Sequence, residues 1–263
     1  MKCYKIDIEY DGTDFYGWQR QKNDNLRTVQ GDIELTLYKI FDKHIKIHGS
    51  GRTDRGVHAK GQVASFKVES TIPGNRLKYV MNSFLPDDIY VYNTEEKNID
   101  FHARYNAKGK EYQYLLYIST NRSPLMDRYH GYYKNEVDFE LMKRAAKKIV
   151  GKHDFRGFMA AGSSINNTIR HIYNLDLEKR QLDDDLVEIK MTINGNGFLY
   201  NMVRIIMGTL VDIGTGKKEI SIIDEAYKDF DRTILGHTAK ANGLYLNKVF
   251  YESLDKEIKI EKC

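Results

Sequence analysis

Apolar and charged residues alternate with a period of two in several parts of this chain, and this pattern limits the fold more than any other feature. Residues 2–10 alternate between apolar and mostly charged side chains, and residues 187–193 do the same. A strand that buries one face and exposes the other produces this pattern. We therefore expect a protein rich in half-buried strands.

The full set of predicted elements mixes strands with helices. The predicted strands are residues 2–10, 45–50, 62–69, 88–93, 111–119, 168–178, 185–193 and 244–251. Apolar residues at helical spacing predict helices at 28–43, 74–83, 138–150, 198–213 and 220–229. Many half-polar strands with few long crossovers favour an α+β fold with mixed, mainly antiparallel sheets over a doubly wound parallel sheet.

The length of the chain, 263 residues, suits two domains of modest size. The stretch 95–110 is charged and short of large apolar residues, which favours a boundary there. We predict an N-terminal α+β domain at 1–104 and a C-terminal α+β domain of similar size at 105–263. Helices are expected to pack on both sheets, with a basic cleft between the domains.

Composition excludes several classes of protein. Hydrophobic residues make up 41% of the chain and charged residues 30%, and no run of about 18 apolar residues occurs. The first ten residues lack the basic and apolar blocks of a secretory signal, so we expect a cytoplasmic protein. Cys3 and Cys263 lie at opposite ends without a CxxC pair, which argues against a disulfide framework or a zinc site.

Positive charge is clustered although the formal net charge is only +4. One cluster contains Arg104, Lys108 and Lys110. The other contains Lys143, Arg144, Lys147, Lys148, Lys152 and Arg156, and Asp154 is the only acidic residue within it. Such clusters can bind nucleic acid, but each is equally compatible with a solvated surface. The 19 tyrosines favour nucleic acid only slightly, because tyrosine stacks on bases and also fills cores.

The segment Gly51–Ala59, with the sequence GRTDRGVHA, is the strongest candidate for a catalytic loop. It lies between two predicted strands, and Gly51 and Gly56 permit tight turns around Asp54. A loop of this kind can present one carboxylate on a rigid scaffold. The alternative is an ordinary turn stabilised by Asp54, with solvated arginines beside it.

This segment resembles the GRTDxGVHA signature of the TruA family of tRNA pseudouridine synthases, in which the aspartate is catalytic. Other segments resemble family motifs in the same order along nearly the whole chain. They are YDGT at 10–13, GWQ at 17–19, DFHAR at 100–104, KEYQY at 110–114, NGNGFLYNMVR at 194–204 and GLYL at 243–246. The departures are Arg55, where the family often has alanine, and His237 and Lys240, which replace the usual prolines.

The resemblance implies an isomerase that converts uridine to pseudouridine in tRNA, with Asp54 as the catalytic residue. It further implies target positions 38 to 40, a homodimer with the tRNA lying across both subunits, and a reaction that requires neither a redox cofactor nor a metal. The carboxylate could attack the base, attack the ribose, or stabilise a developing oxocarbenium ion. The sequence leaves these three mechanisms open.

The same resemblance implies roles for two residues of the second half. Tyr112 would lie against the target base, where its ring can stack and its hydroxyl can take part in proton transfer. The alternative for a tyrosine on an alternating strand is a place in the core. Arg204 is a lone cation in an apolar run and needs a partner if it is buried, and we expect that partner to be Asp54.

The residues expected to bind RNA are Arg52, Arg55, His58, Arg104, Lys108, Lys110, Lys147 and Lys148. Arg52 could fill the space that a flipped-out uridine leaves in the stack, or it could contact a phosphate. His58 fits a structural hydrogen bond better than acid catalysis.

Rival motifs fail on specific residues. A dinucleotide fingerprint beginning at Gly195 has Tyr200 in place of its third glycine, and a phosphate-binding loop ending in Gly216 and Lys217 has Val211 in place of its first. A non-catalytic RNA-binding module would explain the basic clusters, but it gives no reason for Asp54 among arginines.

Overall fold

The computed structural model describes residues 1–21, 25–162 and 165–252. They form two compact units, of which unit 1 contains Met1–Lys108 and the residues from Tyr245 onward, and unit 2 contains Gly109–Leu244. This division falls after Lys108, whereas the predicted boundary followed residue 104. The last strand of the chain, predicted in the second domain, belongs almost entirely to unit 1. Both units combine helices with β-sheet, so the predicted α+β class is confirmed.

The strands follow one another along the chain with helices between them. They are β1 (Lys2–Tyr10), β2 (His48–Gly49), β3 (His58–Val68), β4 (Ile89–Lys97), β5 (Gly109–Ile118), β6 (Gly131–Tyr133), β7 (Gly151–Asp154), β8 (Ile169–Asp183), β9 (Leu186–Gly195) and β10 (Leu244–Phe250). The α-helices are α1 (Val29–Phe41), α2 (Gly74–Asn82), α3 (Phe139–Lys147), α4 (Met202–Gly214) and α5 (Ile222–Asp229).

The sheet of unit 1 has the strand order β4-β1-β3-β10. Strand β1 is antiparallel to β3 and β4, β2 is antiparallel to β3, and β10 is parallel to β3. Its core contains the apolar face of β1 together with residues of both helices, namely Tyr4, Ile6, Ile8, Ile33, Leu37, Leu77 and Met81. Helix α1 begins where the sequence predicts, because the hydroxyl of Thr28 accepts a hydrogen bond from the Gly31 N–H at 3.2 Å.

Unit 2 contains the antiparallel strand order β5-β9-β8-β7, with β6 parallel to β5. The predicted alternation in β9 is confirmed, since Ile189, Met191 and Ile193 are fully buried. They share the core with Ile205 and other residues of α4. No helix within the described part of the chain is both long enough and apolar enough to span a membrane.

Two predicted elements differ from the structure in ways that affect the site. Helix α4 begins at Met202 instead of residue 198, because Asn201 has a φ of 59° and interrupts the helical backbone. Arg204 therefore lies in the first turn of α4. Only His48 and Gly49 of the predicted strand at 45–50 pair with β3, so the segment after them is free to form the loop that carries Asp54.

Candidate active site

The candidate catalytic loop, residues 51–56, joins β2 to β3 in unit 1. Asp54 is half-buried, and Arg52 and Arg55 are exposed on either side of it. The base of the loop is fixed by Gln62, which accepts a hydrogen bond from the Ser50 hydroxyl at 2.8 Å and donates one to the Gly51 carbonyl at 3.0 Å. These two bonds hold the start of the loop against β3.

The segment 10–18, which contains two of the sequence motifs, wraps around the loop. The backbone N–H of Trp18 donates to the Thr53 carbonyl at 3.1 Å, and the hydroxyls of Tyr10 and Thr53 are 2.7 Å apart. Trp18, Tyr10 and Thr53 are all buried. The backbone immediately before Asp54 is therefore fixed by contacts with residues far away in sequence.

Glycines at two positions permit this close approach. A Cβ on Gly12 would collide with the Val57 carbonyl oxygen. Gly17 has a φ of +87°, and a Cβ there would lie 2.6 Å from the Thr53 carbonyl oxygen. The two sequence motifs that contain these glycines therefore support the catalytic loop from outside it.

His58 is buried next to the loop at the start of β3, with 2% of its surface exposed. Its Nδ1 lies 3.0 Å from the Gly12 nitrogen and 3.2 Å from a carboxylate oxygen of Asp11. Because the buried Gly12 N–H requires an acceptor, we assign Nδ1 as that acceptor and do not count the Asp11 contact as an ion pair. The ring also stacks on Tyr245 at 4.8 Å. This burial favours the structural role of His58 over contact with RNA.

Arg55 forms a cation–aromatic pair at the surface of the loop. Its guanidinium lies 4.2 Å from the centre of the Tyr16 ring, which is 39% exposed. Because Arg55 directly follows Asp54 in the chain, the pair places a positive charge and an aromatic ring at the catalytic loop. Arg55 was predictable from the sequence motif, whereas Tyr16 lies in another segment and carries no local signal.

The candidate residues of unit 2 lie on β5 and α4. Tyr112 is 8% exposed and packs edge-on against the Phe198 ring at 5.1 Å. Arg204 is half-buried, and its Nε donates to the Ala239 carbonyl at 2.7 Å while Nη1 donates to the Asn201 side chain at 2.8 Å. Within unit 2, the guanidinium is thus oriented by two hydrogen bonds. The expected pairing of Arg204 with Asp54 stays a prediction.

Residues 236–240 run along α4 and position the partner of Arg204. The Gly236 N–H donates to the Thr209 hydroxyl at 3.1 Å, and the His237 N–H donates to the Asp212 carboxylate at 2.9 Å. The Nδ1 of His237 is 3.0 Å from the same carboxylate. Since proline has no N–H, histidine at position 237 supplies a hydrogen bond that the usual proline could not.

The remaining RNA-binding candidates differ in how much of their charge is available. Arg104, Lys108 and Lys147 are exposed, and Lys110 is half-buried. Lys148 forms an ion pair with Asp224 at 2.6 Å. Elsewhere in the same cluster Lys143 pairs with Glu140 and Arg156 pairs with Asp154. The net charge of this cluster is lower than its sequence suggests, because Asp224, 76 residues after Lys148 in the chain, forms an ion pair with it.

No group of three or more histidines, cysteines or carboxylates among the described residues is arranged to hold a metal ion.

A family model described as "tRNA pseudouridine synthase" matches residues 7–106 and 145–252. The chain belongs to the tRNA pseudouridine synthase family. The matched ranges contain Asp54 and Arg204, whereas Tyr112 lies between them. The loop at 51–56, the segment that wraps it and residues 236–240 all fall within the family match.

Curated relatives of the family match along almost the whole chain. The protein named tRNA pseudouridine synthase A of Acetivibrio thermocellus is 45% identical, and that of Ruminiclostridium cellulolyticum is 44% identical. Each alignment covers 95% of this chain and 100% of the relative. The protein of the same name from Streptococcus mutans is 43% identical, over 96% of this chain and 100% of the relative.

Substituting Gly12 tests how the catalytic loop is supported. Gly12→Ala should lower the free energy of unfolding by about 2 kcal/mol or more, because the new methyl group must displace the Val57 carbonyl. Gly197→Ala is the control, since the nearest atom to its Cβ is 3.5 Å away, and it should change stability by less than about 1 kcal/mol. Urea denaturation measures both, and equal effects would contradict the proposed support.

Substituting Asp212 tests the attachment of residues 236–240 to α4. Asp212→Ala should destabilise the protein by about 1 to 3 kcal/mol, because the part-buried His237 N–H loses its acceptor. Asp224→Ala removes an exposed ion pair with Lys148 and should cost less than about 1 kcal/mol. If the two variants unfold at the same urea concentration, Asp212 is no more than a surface carboxylate.

Proposed function

We propose that this protein isomerises uridine to pseudouridine in tRNA, with Asp54 as the catalytic carboxylate. The observation that carries the proposal is the half-buried Asp54 on a loop whose backbone is fixed by Trp18 and Gln62. A rigid loop holds a reactive carboxylate in one geometry, which is what positioned catalysis requires. Membership of the tRNA pseudouridine synthase family supplies the reaction and the class of substrate.

The reaction exchanges one glycosidic bond for another. The bond between N1 of uracil and C1′ of ribose breaks, the detached base turns, and a bond forms between C5 and C1′. The proton on C5 is lost and N1 gains one, so substrate and product have the same composition. Asp54 can form a covalent bond to the base or to the ribose, or it can stabilise positive charge that develops at C1′.

Tyr112 and Arg204 are proposed to act on the same uridine as Asp54. Packing against Phe198 leaves Tyr112 little freedom, which suits a ring that stacks on a base. Arg204 is proposed to stabilise the carboxylate of Asp54. Its hydrogen bonds to Ala239 and Asn201 support this role, because they orient the guanidinium without neutralising its charge.

The cations near Asp54 are proposed to bind the RNA around the target nucleotide. Arg52 is exposed and planar, so it can take the place of the uridine that leaves the stack, or contact a phosphate. The Arg55–Tyr16 pair offers charge and stacking together. Arg104, Lys108, Lys110 and Lys147 are proposed as phosphate contacts. Lys148 would contribute less, because Asp224 already neutralises it.

The finer features of the proposal rest on the family resemblance. They are modification of positions 38 to 40 in the anticodon stem-loop, action as a homodimer, and location in the cytoplasm. Mapping pseudouridines in RNA from cells with and without the protein tests the positions. Loss of pseudouridine at other tRNA sites or in ribosomal RNA would replace this substrate assignment with the one observed.

Asp54→Ala should abolish isomerisation and leave tRNA affinity within about tenfold of the wild type, because phosphate contacts supply most of the affinity. Tritium release from tRNA labelled at C5 of uridine measures the reaction, and filter binding measures the affinity. Asp14→Ala, which removes an exposed carboxylate from the wrapping segment, is the control and should keep full activity. Product from the purified Asp54 variant after prolonged incubation would refute the assignment. A wild type that binds tRNA and releases no tritium would identify an RNA-binding module.

Arg204→Met should slow the single-turnover reaction by about a hundredfold, because a charged hydrogen-bond donor is removed from the reacting centre. Arg204→Lys should restore part of the rate, since the charge returns without the planar fork. Rates are measured at saturating enzyme, so that weaker binding does not contribute. If both variants bind tRNA more weakly but react at the wild-type rate once saturated, Arg204 is a phosphate ligand instead.

A further inference from the structure

A cavity of about 300 Å³ lies in unit 1, apart from the residues assigned to the catalytic loop. Its walls come from β1, from the segment that leads into β2, from β3 and from the segment after β4. Its polar lining includes Lys46, His48, Ser65, Lys67, Asp100 and His102. Most of its hydrogen-bonding groups are cationic or imidazole groups, which suits an anionic ligand.

Strand pairing builds the floor of this pocket. His48 of β2 pairs with Ser65 of β3, and Cys3 of β1 pairs with Lys67 of β3. Lys46, two residues before His48, lines the same cavity as Lys67. Two lysines distant in sequence are therefore brought to one cavity.

The segment 100–106 forms a rigid wall. The Ala103 N–H donates to the Ser65 hydroxyl at 3.0 Å, and the Ala103 carbonyl accepts from the Tyr251 hydroxyl at 2.8 Å. The His102 N–H donates to the Asn106 side chain at 2.7 Å, and the Asn106 N–H donates to the His102 carbonyl at 3.0 Å. The wall is therefore formed before a ligand arrives, which reduces the entropy lost on binding.

A row of neighbouring rings, each tilted by 34° to the next, extends from the pocket to the surface. The His48 and His102 rings are 4.8 Å apart, and the His102 and Tyr105 rings are 4.2 Å apart. The guanidinium of Arg104 lies 6.0 Å from the centre of the Tyr105 ring. Tyr105 is 75% exposed, so its ring remains accessible to another flat group. A nucleobase is such a group.

The charge of the pocket is largely uncompensated. Lys2 and Lys5 on β1 form ion pairs with Glu96 and Glu95, but the ammonium groups of Lys46 and Lys67 make no ion pair or hydrogen bond with any residue in the described ranges. Asp100 is the single carboxylate among the lining residues.

His102 adds a neutral donor to the two lysines. Burial, followed by the nearby His48 imidazole, lowers the pKa of His102, so the ring is neutral near pH 7. Its Nδ1 accepts the Arg104 N–H at 3.1 Å, which leaves the ring proton on Nε2 as a donor.

We propose that this pocket binds a phosphodiester of the RNA substrate through Lys46, Lys67 and His102, with an adjacent unpaired base stacked on Tyr105. Asp100 can accept a hydrogen bond from a ribose 2′-hydroxyl of the same nucleotide. The proposal rests on the proposed function, because it takes its ligand from the tRNA substrate.

The pocket is too far from Asp54 to hold the reacting uridine, because the Asp54 carbonyl accepts a hydrogen bond from the Val57 N–H at 3.1 Å and Asp54 therefore lies next to the start of β3. Ser65 follows His58 by seven residues on β3, and a strand rises by about 3.3 Å per residue, so the pocket floor lies roughly 23 Å beyond the start of β3. The bound nucleotide is therefore remote from the target uridine. Loss of this contact should weaken tRNA binding without slowing the bound complex.

The double variant Lys46→Met and Lys67→Met tests the phosphate contact. We expect tRNA affinity to fall about tenfold, and the slope of log affinity against log salt to become shallower by about one phosphate contact. The control is Lys39→Met with Lys43→Met, which changes the net charge of unit 1 equally at exposed positions outside the pocket. Equal losses in both double variants, or none in the first, would overturn the proposal.

Variants of Tyr105 test the stacked base. Tyr105→Ala should weaken tRNA binding about tenfold, and Tyr105→Phe should retain wild-type affinity because the ring remains. In wild-type protein, the imidazole NMR signals of His48 and His102 should move with a uridine trinucleotide at concentrations where inorganic phosphate leaves them unchanged. If inorganic phosphate moves these signals at concentrations where the trinucleotide leaves them unchanged, the pocket binds free phosphate and the RNA site is refuted.

Turnover separates this proposal from the proposed function. Each pocket variant should isomerise tRNA at the wild-type rate once saturated, so only the concentration dependence changes. A slower saturated rate with unchanged affinity would refute a remote binding site. Wild-type protein that forms no pseudouridine would refute the proposed function. An active wild type together with pocket variants whose tRNA affinity is unchanged would refute the pocket alone.

Discussion

The hydrogen bond from the backbone N–H of Trp18 to the Thr53 carbonyl is the contact on which the catalytic loop depends. It fixes the backbone one residue before Asp54, and it forms only because Gly17 lets two backbone segments approach closely. The carbonyls of Gly17 and Trp18 extend this support, because they accept hydrogen bonds from the Val29 and Gln30 N–H groups at the start of helix α1. Helix α1 thereby continues the scaffold of the loop into the core of unit 1.

Unit 2 positions its candidate residue by a similar principle. Arg204 is oriented by the Ala239 carbonyl, and Ala239 is placed by the attachment of residues 236–240 to α4. A Cβ on Gly208 would collide with the His237 carbonyl, so close backbone packing again depends on a missing side chain. In both units the proposed functional side chain lies on a backbone that long-range contacts hold in one geometry.

Local patterns in the sequence predicted β1 and α1 correctly, because alternation and a capping residue are local signals. The start of α4 was wrong, since the apolar residues Phe198 and Leu199 continue the helical pattern and only the backbone of Asn201 interrupts it. The loop around Asp54 was identifiable through its motif. The ion pair of Lys148 with Asp224 and the pocket beside His102 were not predictable, because strand pairing and helix packing bring together residues that are distant in sequence.

Two exposed tyrosines of unit 1 form cation–aromatic pairs. Arg55 lies over Tyr16 and Arg104 lies near Tyr105, and both rings are exposed. A guanidinium held against a ring loses less side-chain entropy on binding than one that is free in solvent. The ring keeps its other face for a base, while the cation attracts the adjoining phosphate. A chain with a net charge of only +4 can therefore bind a polyanion, because Arg55 and Arg104 hold positive charge beside exposed rings.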